Sequence, residues 1–163
     1  MIDRESRRSG RLPARLRAVA EAVPAGAVSV ADVGAGDGQL ARHLADRGLR
    51  VVATERRPAS FARLRAALPD LDCRVGEGLA VLRPGEVEGA VVAGLGGHGI
   101  IRVLASAPDV ARSLEWLVLQ PQQHPDRLVA WLQGAGYRVR ARTDAVQGGR
   151  SYTVLLVIDH ERT

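Results

Sequence analysis

The stretch Ala31-Asp32-Val33-Gly34-Ala35-Gly36-Asp37-Gly38-Gln39-Leu40 decides how the rest of the chain is read. Its approach, Val28 to Val33, is short, apolar and β-branched, as a buried strand is. After Gly38 the apolar residues Leu40, Ala41, Leu44 and Ala45 fall at helical spacing. The reading is strand, glycine turn, helix. Glycines in such a turn take positive φ and let a ligand approach bare backbone, and the helix N-terminus presents unpaired N–H groups to polar ligand atoms. That context predicts a nucleotide-type site. The dinucleotide pattern G-x-G-x-x-G does not fit, because the third glycine falls at Gly38 and Gln39 stands at the dinucleotide position.

Before this stretch, Leu12, Leu16, Val19, Ala20 and Val23 recur at three- and four-residue intervals between arginines, which predicts an amphipathic helix ended by Pro24-Ala25-Gly26. After it, Gly48 closes the second helix and Leu49 to Glu55 reads as a strand ending in a carboxylate. Glu55 lies about twenty residues beyond the first glycine, where nucleotide-binding α/β folds place an acid for ribose hydroxyls. Pro58 opens a helix bearing Phe61, Leu64 and Leu68, and Asp72 to Val75 is a weak third strand leading to Gly76-Glu77-Gly78. Glu77 reads equally as a ligand contact at that strand's end and as a cap on a short helix. Gly89 to Gly94 is a small apolar run suited to a central strand, and Leu95-Gly96-Gly97-His98-Gly99 follows it. Four glycines in six positions suggest backbone exposed to a ligand, with close helix packing as the alternative. His98 reads as a loop residue, and no metal-ligand spacing surrounds it.

Leu114 to Leu119 predicts a fifth strand, broken by Gln120-Pro121-Gln122. A helix from about Pro125 to Ala135, an edge-type strand from Tyr137 to Arg142 and a buried strand from Tyr152 to Ile158 complete the chain. Strand and helix alternate, then two strands pair as a hairpin. This predicts an open α/β fold: a mostly parallel seven-stranded sheet with helices on both faces and an antiparallel last strand. Asp32 to Gly38, Glu55, Glu77, Gly94 to Gly97 and Gln120-Pro121 all fall at the strands' C-terminal ends, where such sheets bind ligands.

The 163 residues suit one domain, with a basic leading helix region over 1–24 and a Rossmann-like core over 25–160. The lone Cys73 forms no intramolecular disulfide, and no apolar run approaches the roughly 20 residues a bilayer needs. The expectation is a cytoplasmic protein without membrane partners. All 23 residues of the Lys+Arg total are arginine, and the formal charge is +5. Arg4, Arg7, Arg8, Arg11, Arg15 and Arg17 gather near one end, which suits a polyphosphate partner.

The pattern D-x-G-x-G-x-G over Asp32 to Gly38 resembles motif I of the class I S-adenosylmethionine-dependent methyltransferases. Beyond it, the chain resembles one family of these, the bacterial tRNA (adenine22-N1)-methyltransferases. Leu12-Pro13-Ala14-Arg15-Leu16 with Pro24-x-Gly26 is similar to that family's opening, and Ala31-Asp32-Val33-Gly34 to its A-D-[IV]-G. Gly76-Glu77-Gly78-Leu79 is similar to its G-D-G-L, Ala93-Gly94-Leu95-Gly96-Gly97 to its A-G-M-G-G, and Leu119-Gln120-Pro121 to its L-Q-P-N. Gly149-Arg150-Ser151-Tyr152 is similar to its G-K-x-Y, so the likeness extends from about Leu12 to Asp159. The chain departs from the family after motif I and at Gln122, and the expectation is that the family's C-terminal coiled-coil domain has no counterpart here.

The resemblance implies a Rossmann-like class I methyltransferase fold and methyl transfer from S-adenosyl-L-methionine to N1 of an adenine in tRNA. It implies that Asp32, Gly34, Ala35, Gly36, Asp37 and Gly38 hold the methionine part of the cofactor, Glu55 the ribose and Glu77 the adenine edge. Gly94, Leu95, Gly96, Gln120 and Pro121 would form the substrate pocket, with no metal. A cofactor-binding RNA module without turnover, or a methyltransferase for a small molecule or protein, stand as alternatives.

Overall fold

The computed structural model describes residues 11–159, so Arg4, Arg7 and Arg8 of the basic cluster lie outside the described residues. Seven strands form one sheet: β1 (Ser29–Val33), β2 (Arg50–Glu55), β3 (Asp72–Val75), β4 (Gly89–Leu95), β5 (Trp116–Pro121), β6 (Tyr137–Gln147) and β7 (Arg150–Asp159). Their order across the sheet is β3-β2-β1-β4-β5-β7-β6. The first five pair in parallel, and β7 alone runs antiparallel to both its neighbours. The order reverses between β1 and β4, which opens a crevice at their C-terminal ends.

Helices α1 (Ala14–Ala22), α2 (Gln39–Asp46) and α3 (Pro58–Ala67) cover one face, packing Val19, Leu44 and Leu64 onto Val30, Ala53 and Val91. Helices α4 (Gly97–Ser106), α5 (Pro108–Ser113) and α6 (Pro125–Gly134) cover the other, packing Ile100, Leu104 and Leu128 onto Ala31, Val92 and Leu119. With both faces covered, the central strands are mostly apolar, and β1 is buried at every position. Asp32 is the charged exception there. Among the described residues no helix is long and apolar enough to cross a membrane.

Three elements differ from the sequence reading. Gln120 and Pro121 do not break β5 but end it: the β5–β7 ladder stops at Leu119–Leu155, so the proline lacks its N–H only where no partner strand needs it. Between α4 and β5 lies α5, begun by Pro108 at its first turn. The last two strands are longer than their hydrophobic alternation. They join through Gly148 and Gly149, both at positive φ, and pair as a two-stranded ribbon for five residues beyond the end of the β5–β7 ladder.

Candidate functional site

The turn after β1 uses its three glycines for different reasons. Gly34, Gly36 and Gly38 have φ of 73°, 61° and 83°, a region that side chains with a Cβ adopt only with strain. A Cβ on Gly34 or Gly36 would meet nothing within 4 Å, whereas one on Gly38 would lie 2.9 Å from Leu68 Cδ1. The N–H groups of Gly34 and Ala35 donate to the Thr54 carbonyl at 3.0 and 2.9 Å, which ties the turn to β2. Asp37 faces the start of α2, accepting from the Gln39 backbone N–H at 3.3 Å and its side-chain amide at 2.6 Å.

Four carboxylates gather around this turn. Asp32 is buried, and its Oδ2 has no hydrogen-bond partner. Burial, followed by the negative charges of Glu55 and Asp37, pushes its pKa up to about 7. An orphaned carboxylate oxygen under an open glycine turn fits a ligand that brings its own donor, such as an ammonium group. Glu55 Oε1 accepts from the Gly36 N–H at 2.7 Å, so β2 also shapes the turn. Glu77 makes no side-chain cap on the 3-10 turn that follows it, which removes the capping alternative; it lies 3.9 Å from Arg56 with both side chains exposed. Gly34, Glu55 and Glu77 line an open cleft of about 930 Å³, whose opposite wall is Gly94, Leu95 and the α4 residues Gly99, Arg102 and Val103.

That opposite wall is built on a bulge. The β4–β5 register runs Ala93–Gln120 and then Leu95–Pro121, skipping Gly94, whose φ is 82°. The Gly94 N–H finds its acceptor in the Gln120 side chain, donating to Oε1 at 3.0 Å. Gln120 is fully buried and therefore lies behind the cleft wall, next to buried Pro121. Gln122 N–H donates to the Leu95 carbonyl at 2.7 Å, and Gly97 N–H to the Gln123 carbonyl at 2.8 Å. A Cβ on Gly97 would lie 2.7 Å from the His124 carbonyl oxygen, so this glycine serves close packing, while one on Gly96 would meet nothing within 4 Å. His98 is paired with its surroundings: its ring centroid is 5.5 Å from that of His124, and its Nε2 is 3.4 Å from Arg127 Nη1.

The sequence reading counted Arg15 among surface charges and overlooked its place here. Its Nη1 donates to Gln120 Oε1 at 2.6 Å and stands 3.6 Å from where a Gly94 Cβ would be. The available signal was position. Arg15 follows Leu12 by three residues and precedes Val19 by four, which puts it on the buried face of α1. Arg56, Ser60 and Arg102, which line the cleft, carried no comparable sequence mark.

Comparison with known proteins agrees with this geometry. Residues 12–155 match the Methyltransferase domain family. The chain is 29% identical over 154 residues to the tRNA (adenine(22)-N(1))-methyltransferase of Bacillus subtilis strain 168, covering 90% of this chain and 64% of that protein. It thus spans less than two thirds of that relative's length. The crystal structure of the B. subtilis M1A22 tRNA methyltransferase TrmK superposes with a TM-score of 0.84 at 27% identity, covering 91% of this chain and 67% of that one. Streptococcus pneumoniae Sp1610 in complex with S-adenosyl-L-methionine gives 0.85 at 28% identity, covering 91% and 73%. With its sheet order, glycine turn and matched residues, the chain belongs to the methyltransferase domain family.

Proposed function

We propose that this chain is an S-adenosyl-L-methionine-dependent methyltransferase that methylates N1 of an adenine in tRNA, acting in the cytoplasm as one domain over residues 1–163. The observation that carries the reading is the orphaned Oδ2 of buried Asp32 beneath the open Gly34–Gly36 turn, opposite the bulged Gly94 wall of the same cleft. In this reading Asp32 accepts from the cofactor's ammonium group, and Ala35, Gly36, Asp37 and Gly38 maintain the turn around its methionine part. Glu55 accepts from the ribose, with its Oε1 held by Gly36 and its other oxygen left for the hydroxyls. Glu77 meets the adenine edge.

When bound, the cofactor supplies an electrophilic methyl group on a sulfonium, which leaves as a neutral thioether once the C–S bond passes its electrons to sulfur. N1 attacks with its own lone pair and the positive charge passes to the purine, so the chain needs no general base. Its task is positioning. The backbone of Gly94, Leu95 and Gly96 grips the target base, and Gln120 with Pro121 fixes that backbone from behind. The base must be unpaired or flipped out to present N1.

The test is incubation with labelled S-adenosyl-L-methionine and host tRNA, followed by nucleoside mapping. The expected result is 1-methyladenosine in tRNA. Calorimetry showing no binding of the cofactor would overturn the reading outright. Binding without transfer to any RNA would mark an RNA-associated module, and transfer only to protein or small molecules would move the substrate.

A further inference from the structure

Arg15 sits half-buried at the seam between α1, the ends of β4 and β5, and the β6–β7 ribbon. Two hydrogen bonds fix it: its backbone N–H donates to Gln147 Oε1 at 2.9 Å, and its Nη1 to Gln120 Oε1 at 2.6 Å. Both acceptors are neutral carboxamides. Other guanidinium groups meet carboxylates, as Arg42 does Asp70, Arg74 does Asp72 and Glu86 and Arg112 does Asp159, or donate to backbone carbonyls, as Arg47 does to Ala20 and Arg65 to Leu71. Among the described residues no carboxylate lies within ion-pair distance of Arg15, and no acceptor is bonded to its Nε or Nη2.

A cation drawn out of water without a counter-ion is costly, and burial lowers the Arg15 pKa accordingly. The cost is offset when a ligand supplies the anion. Guanidinium is suited to this role, because its planar fork presents several N–H donors to two oxygens at once. The ribbon adds a second cation on the same side. Arg150, exposed and without a carboxylate partner among the described residues, lies 5.5 Å above the ring of Tyr152 on the same ribbon.

We infer that Arg15 is an anion subsite for an RNA phosphodiester, the one beside the target nucleotide, with Arg150 on the ribbon extending the contact along the backbone. The inference rests on the proposed RNA methylation, since it is the neighbouring Gly94 wall that receives the base. Because Nη1 also holds Gln120, and Gln120 holds Gly94, a phosphate gripped by Arg15 is joined to the substrate wall through two hydrogen bonds.

The test measures binding of unfractionated tRNA to the full chain across a series of NaCl concentrations, with S-adenosyl-L-methionine affinity measured in parallel. Arg15→Met keeps the aliphatic stem and removes the charge. It is expected to lose about tenfold in tRNA affinity and to flatten the log–log salt dependence by about one phosphate contact, with cofactor affinity unchanged. Arg15→Lys restores the salt dependence with weaker binding. Unchanged tRNA affinity and salt dependence in Arg15→Met would overturn the inference. So would a parallel loss of cofactor affinity, which would assign the cation to the cofactor's carboxylate or to a structural role. A second measurement needs no variant: phenylglyoxal modification of the unmodified protein, with Arg15 expected to be shielded by tRNA and not by the cofactor, and the opposite pattern overturning the subsite. Failure of the unmodified protein to bind S-adenosyl-L-methionine at all would instead bring down the methyltransferase reading.

Discussion

The two walls of the cleft carry opposite chemistry. The β1–β2–β3 side gathers Asp32, Asp37, Glu55 and Glu77 around a turn of bare backbone. The β4–β5 side offers a bulged glycine, a buried carboxamide and a guanidinium lacking a carboxylate partner among the described residues. An acidic wall suits a ligand with ammonium, hydroxyl and sulfonium groups, and a neutral-to-basic wall suits a polyanion. The difference teaches that the switch point of one sheet can serve two ligands of opposite character, with strand order alone keeping them apart.

The largest expected effect strikes the acidic wall. Asp32→Asn should weaken S-adenosyl-L-methionine binding about 100-fold, the loss of a buried charge-assisted hydrogen bond of roughly 2.7 kcal/mol, read by calorimetry. Stability should move the other way. The folded pKa of Asp32 is raised to about 7 from 3.8, so the unfolded chain releases its proton first as pH rises. Asp32 therefore subtracts stability progressively between about pH 4 and pH 7, up to about 4 kcal/mol above that window. Asparagine removes this cost, so the ligand-free variant should melt higher at pH 8 and no higher at pH 3.5. A variant that binds the cofactor as well as the parent would erase the charge contrast between the walls.

The second effect lies in the opposite wall and concerns packing rather than charge. Gly97→Ala places a methyl 2.7 Å from the His124 carbonyl oxygen and should cost about 2 kcal/mol in denaturant unfolding. Gly96→Ala has open space and should cost about 0.5 kcal/mol, the usual difference at a helix N-cap. Equal costs would mean that α4 is not anchored on the β5–α6 loop.

The same contrast explains what the sequence could and could not tell. Positive φ at Gly34, Gly36 and Gly38 can be written only with glycine, so that turn is visible in the residues themselves, and Glu55 follows from its distance along the chain. The other wall is built from contacts remote in sequence. Gly94 gains its acceptor from Gln120, 26 residues on, and Gln120 its donor from Arg15, 105 residues back. No local pattern records such pairs. Gly97 and Gly94 look alike as sequence, yet one answers a steric demand from His124 and the other a bulge. The end of the ribbon beyond Arg142 escaped notice for a different reason: Thr143 and Asp144 are both exposed, so the alternation that marks a half-buried strand is lost there.

The third effect is a pH dependence confined to the acidic wall. The ammonium group binds the ionised form of Asp32, so below pH 7 a proton must leave before the ligand can bind. Affinity for S-adenosyl-L-methionine should fall about fivefold from pH 7 to pH 6, and calorimetry in buffers of different ionisation enthalpy should register proton release on binding. Binding that does not change over this range would show that Asp32 meets the cofactor already charged, or not at all. Affinity for tRNA, set by guanidinium groups that stay protonated, should not follow this curve.

The smallest effect tests whether the acidic wall acts as a unit. Glu55→Gln keeps an oxygen for the Gly36 N–H and an acceptor for a hydroxyl while removing one charge, so the turn should hold and cofactor affinity should fall only about threefold. Glu55→Ala removes the acceptor as well and should cost more. The informative readout is the pH curve. Glu55 is the foremost charge raising the Asp32 pKa, after burial itself, so Glu55→Gln should move the midpoint of the cofactor's pH dependence below that of the parent. A midpoint that stays in place would mean that burial alone sets Asp32, and that the carboxylates of this wall are neighbours without being coupled.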